Sequence, residues 1–206
     1  MTKEQEILIA AEEVFFQNGY DASSTVDIAK RAGVTHAMVN YYFRSKEKLF
    51  IQILDNHVND ILGCLKPVMK ADGDILDVAV DAADAIFDKM NEMRRFPYLL
   101  SDISRTHPDF LTRYKEVIET ICSESIKMHQ VRLEKRISEC SVVPCTMNDI
   151  YSTVLSLATA PFMMLPMLEN VGGRSEEQIS TFLSDRKEEM ARILRARYSV
   201  KSSQTL

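Results

Sequence analysis

The sequence predicts an all-α protein of roughly nine helices. Apolar residues recur at intervals of three and four along most of the chain, and the alternating pattern of strands is absent. Glycine and proline number 6 each in 206 residues, too few for a protein of many short strands and turns. At several places where an apolar run begins, a serine or threonine also stands three residues before a glutamine or aspartate, as at helix N-termini.

The first predicted helix begins at the N-terminus and ends at about residue 18. Thr2 and Gln5 form a capping box at its start. Gly19 can end it, because glycine adopts left-handed backbone conformations without a steric clash. We expect its apolar face to brace the two helices that follow.

Residues 24–43 are predicted to form two short helices joined by a tight turn. Ser24 is a candidate N-cap for the first of them, and Gly33 is placed to end it. Thr35 follows at once as a candidate N-cap for the second helix, which would span residues 36–43. This arrangement is a helix-turn-helix, an element that proteins insert into the major groove of DNA.

The second of these helices has the pattern of a recognition helix. Val39 and Phe43 lie one turn apart and would face the preceding helix. His36, Ala37 and Asn40 then fall on the opposite side. His36 can donate or accept at a base or phosphate, Ala37 can touch a thymine methyl, and Asn40 is suited to bidentate pairing with adenine. The alternative for His36 and Asn40 is a polar side chain that only faces solvent.

The positions of the charged residues are more informative about a partner than the net charge is. The formal net charge is −5, and residues 1–50 hold six basic and seven acidic side chains, which mildly disfavours a nucleic-acid partner. However, Arg44, Lys46 and Lys48 cluster beside the second helix, where a phosphate backbone would lie. Thr25, at the start of the first helix of the pair, can bond a phosphate, cap that helix, or do both.

Further helices are predicted after residue 45. The next one begins at Lys46, is apolar on two sides and is ended by Pro67. Apolar stripes, caps and breakers then place helices at about residues 75–95, 98–106, 110–140, 150–168 and 175–198. We expect residues 1–50 to form one domain, residues 51–198 a second, and residues 199–206 a disordered polar tail.

The stretch from Ile150 to Leu168 holds nineteen residues without a charge, which is the length of a membrane-spanning helix. It also contains Pro161, Pro166 and four hydroxyl side chains, which favours a buried helix of a bundle over a membrane span. The charged N-terminus shows no signal peptide. We therefore expect a cytoplasmic protein without a membrane partner.

No pattern in the sequence indicates a catalytic, metal or cofactor site. The cysteines have neither zinc-ligand nor redox-motif spacing and are expected to be reduced thiols; they are Cys64, Cys122, Cys140 and Cys145. A nucleophile–base pair and a phosphate-binding glycine loop are also missing. We expect no cofactor, no metal and no enzymatic activity.

The N-terminal quarter of the chain resembles the DNA-binding domain of the tetracycline-repressor (TetR) family of transcriptional regulators. The matching residues keep a fixed order and spacing: Ile7-Leu8, Ala10-Ala11, Phe15, Gly19-Tyr20, Thr25-Val26, Ile28-Ala29, Ala32-Gly33-Val34, Tyr41-Tyr42-Phe43 and Ser45-Lys46-Glu47. The main departure is Asn40, where the family usually carries tyrosine. The DNA sequence read by a relative therefore does not transfer to this chain.

The resemblance adds phosphate contacts to the helix-turn-helix. It implies that Tyr41 and Lys46 meet the DNA backbone, with Tyr42 as a weaker candidate. The alternative for either tyrosine is a ring packed on the small core of the domain. The predicted DNA-binding residues are Thr25, Thr35, His36, Ala37, Asn40, Tyr41 and Lys46.

For the C-terminal region the resemblance implies a pocket for a small, largely apolar effector and a homodimer interface. The pocket candidates are Phe87, Met90, Tyr98, Ile103, Phe110, Tyr114, Met128, Tyr151, Leu155 and Phe162. His107 and His129 are candidates for orienting a polar group of the ligand. The interface candidates are Leu157, Ile179, Phe182, Met190 and Ile193. In both sets the alternative is ordinary core within one chain.

Together these features predict a homodimeric, ligand-responsive transcriptional repressor. Two recognition helices would enter successive major grooves of a pseudo-palindromic DNA operator, about 34 Å apart. The effector would favour a conformation that binds DNA less well. The alternative on the same fold is a structural or division-linked adaptor, whose DNA sites would be scattered over the chromosome.

Overall fold

The computed structural model describes residues 1–200, apart from the side chain of Cys122. All the regular elements of these residues are helices, which confirms the predicted all-α class. They are α1 (Lys3–Asn18), α2 (Thr25–Ala32), α3 (His36–Phe43), α4 (Lys46–Met69), α5 (Ile75–Glu92), α6 (Phe96–Thr106), α7 (Pro108–Thr112), α8 (Lys115–Ser138), α9 (Met147–Met163), α10 (Leu165–Asn170) and α11 (Glu176–Tyr198).

These eleven helices exceed the predicted nine because two long helices are interrupted. Residues 110–140 divide into α7 and α8, and residues 150–168 divide into α9 and α10. At the second break Pro166 has no N–H to donate to the carbonyl four residues before it. Pro67 was expected to end α4 but lies inside it, since a proline in the last turn removes only one hydrogen bond.

Local capping chemistry fixes the ends of the short N-terminal helices. Ser24 Oγ accepts from the backbone N–H of Asp27 at the start of α2. Gly33 ends α2 in the left-handed conformation, with φ 64° and ψ 32°. Thr35 Oγ1 then accepts from the N–H of Met38 at the start of α3. These predicted caps are confirmed, and they set the turn between the two helices.

The chain divides into two compact units. Unit 1 comprises Met1–Leu62 and Arg95–Arg113. Its core is a cluster of aromatic rings in which Phe50 lies 4.9 Å from Phe15, 4.7 Å from Tyr20 and 5.7 Å from Phe110. Helix α1 packs against α2 and α6, and α2 packs against α3. The functional division predicted at residue 50 is a different boundary and stays a prediction.

Unit 2 comprises Gly63–Arg94 and the chain from Tyr114 onward. Helix α5 is its centre and packs against α8, α9 and α11. The interior includes the ring pair Phe87 and Phe162, whose centroids are 4.9 Å apart. Ion pairs from α11 to α5 lie at its surface, such as Lys187 Nζ to Asp88 Oδ1 at 2.5 Å.

The end of the described chain is attached to unit 2. Ser199 forms an isolated antiparallel bridge with Val142, and the N–H of Val200 donates to the carbonyl of Ser141 at 3.3 Å. The first two residues of the predicted tail are therefore paired. Residues 201–206, the rest of that predicted tail, lie outside the described residues.

Candidate nucleic-acid interface

Helix α3 presents one face to the core of unit 1 and the other to solvent. Val39 and Phe43 are buried, with 1% and 7% of their surfaces exposed, as the predicted inner side requires. His36, Ala37 and Asn40 are all exposed on the outer side. The N-terminus of the helix and its polar outer side are therefore open to a partner.

His36 connects two helices at this surface. Its Nε2 lies 2.9 Å from Thr25 Oγ1 of α2 and 3.4 Å from Asn40 Nδ2, one turn further along α3. Thr25 is half-buried and is not the cap of α2, because Ser24 fills that role. The structure thus brings three of the predicted DNA-binding side chains into one network.

The two tyrosines of α3 do not belong to the core of the unit. Tyr41 is 78% exposed and Tyr42 is 39% exposed. Their rings meet edge to face with centroids 5.3 Å apart, which supports both of them outside the core. The alternative of packed core rings is therefore wrong for Tyr41, and Tyr42 is more accessible than expected.

Lys46 is engaged by the protein itself. Its ammonium lies 3.0 Å from the carbonyl of Tyr20, 3.4 Å from that of Asp21 and 3.2 Å from that of Ser23. It also stands 4.3 Å from the centre of the Tyr20 ring. An ammonium has three N–H donors, and these carbonyls use all of them. The predicted direct phosphate contact of Lys46 is corrected accordingly: the side chain holds the turn between α1 and α2.

Other basic groups remain available beside α3. Lys48 and Arg44 are exposed, and Arg44 ends α3 with a positive φ of 63°. Arg31 is tied to α1, where it lies 3.5 Å from the carboxylate of Glu13 and donates to Gln17 at 3.1 Å. We therefore assign the accessible positive charge at this surface to Arg44 and Lys48.

A second polar contact in unit 1 was not found from the sequence. His107, at the start of α7, lies 2.8 Å from the carboxylate of Asp21. Its ring stacks on Phe110 at 5.1 Å and meets Tyr20 edge to face at 5.0 Å. The prediction that His107 orients a ligand is therefore corrected, because it closes the turn held by Lys46. No local signal joins residues 86 positions apart.

Unit 2 contains a small cavity of about 40 Å³. Its wall is apolar apart from a few polar groups and consists of Val68, Met69, Ile75, Val78, Ala79, Ala82, Ser125, His129, Met147, Ile150, Tyr151 and Val154. His129 Nε2 lies 3.0 Å from the carbonyl of Met69, and the Tyr151 hydroxyl donates to Ser125 Oγ at 2.5 Å. Burial lowers the pKa of His129, and the bond to the Met69 carbonyl opposes that effect in part.

Tyr151 alone among the ten predicted pocket residues lines this cavity. Phe87, Met90 and Phe162 are buried core side chains of unit 2. Ile103 and Phe110 are core residues of unit 1. Tyr98, Met128 and Leu155 are exposed. Tyr114 is half-buried and precedes α8.

The inner side of α8 differs from the one that its apolar residues predict. The predicted inner side of this helix was taken from its apolar residues, yet Met128 is 37% exposed. The inward positions are Ser125, His129 and Leu133, of which two are polar. Their hydrogen bonds to residues outside α8 make this orientation favourable, which the apolar pattern does not record.

Some of the predicted dimer-interface residues are also buried within the chain, whereas others are accessible. Ile179 and Met190 are each 2% exposed and belong to the core of unit 2, so that their assignment to a partner surface is corrected. Leu157 and Phe182 are half-buried, and Ile193 is 37% exposed. These three residues remain available to a partner.

The uncharged stretch is less buried than expected. The segment Met147–Asn170 is long and apolar enough to cross a membrane, judged by length and composition. Within its apolar window of 18 residues, 33% is buried inside the protein. Its exposed apolar side chains are Leu155, Met163, Met164 and Met167, followed by Val171. One such stretch is weak support for a membrane span, and it is divided at Met164.

Groups that could hold a metal ion are not found among the described residues. Cys140 and Cys145 are free thiols. Burial raises the pKa of Cys145, and the nearby carboxylate of Asp149 adds to this effect. The Cys145 thiol is therefore not an activated nucleophile by its surroundings.

Unit 1 has the features of a helix-turn-helix nucleic-acid-binding unit: a capped recognition helix, an exposed polar face and two bracing helices. Residues 7–53 match the family model of bacterial regulatory proteins, tetR family. This match confirms the resemblance of the N-terminal quarter of the chain to the DNA-binding domain of that family.

Named relatives agree with this assignment. The chain is 27% identical over 122 residues to the HTH-type transcriptional activator FasR of Mycolicibacterium smegmatis, covering 59% of this chain and 55% of that protein. It is 29% identical over 135 residues to the HTH-type transcriptional regulator YvdT of Bacillus subtilis, covering 63% of this chain and 70% of that protein. The match thus spans about half the length of FasR.

A solved structure shares the fold over nearly the whole chain. The ketosteroid transcriptional regulator KstR2 of Mycobacterium tuberculosis superposes with a TM-score of 0.69 at 17% identity, covering 97% of this chain and 96% of that chain. At this identity the likeness shows the fold alone.

Proposed function

We propose that the protein is a transcriptional regulator that binds double-stranded DNA through α3. The observation that carries this proposal is the exposed polar side of α3, where His36, Ala37 and Asn40 follow a capped N-terminus. A recognition helix contacts base edges through such N-terminal residues. Tyr41, Arg44 and the Thr25 hydroxyl extend the same surface toward phosphates.

Dimerisation through unit 2 would give a pseudo-palindromic operator. The exposed apolar side chains of α9 and α10 would be covered by a second copy, because a large apolar surface in water is unfavourable. We propose that this surface consists of Leu155, Leu157, Met163, Met164, Met167, Phe182 and Ile193. Two recognition helices would then contact half-sites about one helical turn apart, roughly 34 Å.

The cavity of unit 2 is our candidate for a small, largely apolar effector. Its volume of about 40 Å³ holds only a few water-sized groups, so that a ligand must bind an expanded conformation. A ligand that prefers that conformation shifts the population of the protein toward it. If the expanded conformation holds the DNA-binding helices at the wrong separation, the effector releases the operator and acts as an inducer of a repressor.

The relatives favour a regulator over the other functions considered. FasR and YvdT are named as regulators of transcription, and FasR is named as an activator. We therefore propose a non-enzymatic, cytoplasmic regulator, with repression as the expected mode. A structural adaptor on DNA is not favoured by any observation on the described residues.

Selection from a randomised double-stranded DNA library tests this proposal with the full-length protein. We expect one enriched pseudo-palindrome, bound with a Kd of about 10⁻⁸ to 10⁻¹¹ M at physiological salt. Affinity should fall steeply between about 50 and about 200 mM salt. Enrichment of no motif would contradict the proposed function. Sites scattered without relation to promoters would support the adaptor.

A double variant, His36→Ala with Asn40→Ala, tests the role of α3. It leaves the Thr35 cap in place, so that the helix itself is retained. We expect loss of the enriched motif while weak salt-dependent binding remains. The matched control is Glu177→Ala with Gln178→Ala on α11, which should preserve the motif. Equal binding by the first variant and the wild type would place the DNA surface elsewhere.

A further inference from the structure

We propose that His36 sets the base preference of the recognition helix by holding the Asn40 amide in one orientation. The inference rests on the proposed DNA-binding function. It makes His36 a positioning residue for Asn40, in addition to any contact of its own with DNA.

The network has few possible proton arrangements. Asn40 Nδ2 lies 3.4 Å from His36 Nε2 and can only donate. Nε2 is therefore the accepting nitrogen of this contact, which places the ring proton on Nδ1. The Thr25 hydroxyl lies 2.9 Å from the same nitrogen, so that its O–H and the Asn40 amide share one lone pair. The hydroxyl also joins α2 to α3, which fixes the plane of the ring.

This arrangement leaves Asn40 prepared for adenine. One N–H of its amide is used by His36, so that the Oδ1 atom and the second N–H remain for a partner. Adenine offers the matching pair in the major groove, with an N6 amino donor and an N7 acceptor. The neutral imidazole thus selects the orientation of the amide that reads adenine.

The experiment measures a ratio of affinities with the full-length protein and operator duplexes from the DNA selection. Asn40→Ala first identifies the base pair that Asn40 reads, as the position whose preference it removes. At that position, the affinities for duplexes with adenine and with guanine are compared. A general change in affinity for DNA acts on both duplexes alike, so that their ratio cancels it.

For the wild type we expect a preference for adenine of about tenfold or more. His36→Phe should lose this preference. His36→Gln should keep it, because the Gln Oε1 can accept from Asn40 near the position of Nε2. His36→Ala should behave as His36→Phe.

Two results would overturn the inference without affecting the proposed function. These are an adenine preference retained by His36→Phe and His36→Ala, and a loss of the preference in His36→Gln. Absence of any selected motif would instead contradict the proposed function itself. Circular dichroism of each variant establishes that α3 remains folded.

Discussion

The two exposed apolar surfaces of this chain differ in chemistry. On α3 the exposed rings of Tyr41 and Tyr42 carry hydroxyls and stand among imidazole and amide groups. On α9 and α10 the exposed side chains of Leu155 and Met167 lack a strong hydrogen-bonding group, and the stretch is uncharged. The first surface suits a hydrated, charged partner such as DNA, whereas only another apolar surface stabilises the second.

The interiors of the two units differ as well. Unit 1 is filled by aromatic rings centred on Phe50, and its polar contacts close a turn at the edge of that cluster. Unit 2 places polar groups of His129 and Tyr198 inside, where each requires a partner. The Tyr198 hydroxyl, for example, donates to the Asp149 carbonyl at 2.7 Å.

Phe50→Ala should give the largest effect. Its ring is fully buried among three others, and removing it should lower the free energy of unfolding of unit 1 by about 3–5 kcal/mol. Amide hydrogen exchange measures the two units separately. Phe87→Ala is the matched variant in unit 2. If each variant lowered the protection of amides from exchange equally in both units, the two units would unfold together. The contrast between their interiors would then have no effect on stability.

A charged substitution on α9 and α10 should break self-association. Leu155→Glu with Met167→Glu places two carboxylates on the proposed apolar surface, and we expect the dimer to weaken about 100-fold. Sedimentation velocity over a concentration series measures this. Val131→Glu, at a 69% exposed apolar site on α8, is the control and should remain dimeric. A dimer unaffected by the double variant would place the interface on another surface.

Substitution of Lys46 should affect mainly stability, whereas substitution of Lys48 should affect mainly DNA binding. Lys46→Met leaves three carbonyls without their donor and should lower the free energy of unfolding by about 1–2 kcal/mol. Lys48→Met should leave stability nearly unchanged and reduce the slope of log affinity against log salt by about 1. Thermal unfolding and fluorescence anisotropy measure the two quantities. A reduced salt slope in the Lys46 variant would instead indicate that Lys46 contacts a DNA phosphate.

His129 should give the smallest effect, confined to mildly acidic pH. Its pKa is lowered in the folded protein, so that the unfolded chain takes up the proton first as pH falls. Stability should therefore be complete above the ordinary value of 6.5 and decline below it, until the folded-state pKa is reached. His129→Gln keeps a side-chain donor and should remove this decline. Urea unfolding of the wild type and of His129→Gln at pH about 7.5 and about 5.5 measures the decline in stability. An equal decline in the variant would show that another group causes it.

The short helices of unit 1 could be predicted because their signals are local. Ser24, Gly33 and Thr35 act on backbone atoms within a few residues, and the left-handed conformation of Gly33 follows from its missing side chain. The outer side of α3 likewise follows from helical spacing once Val39 and Phe43 are placed inside. Exposed DNA-binding candidates on α3 were therefore predictable.

The sequence by itself determined the all-α class and the capped helix-turn-helix. Tertiary structure alone decided that Lys46 bonds carbonyls up to 26 positions away, that α8 turns polar residues inward, and that Ile179 lies in the core. The physical reason is range. Caps and helical periodicity act within one or two turns, whereas the use of a donor or an apolar face depends on which distant group packs against it.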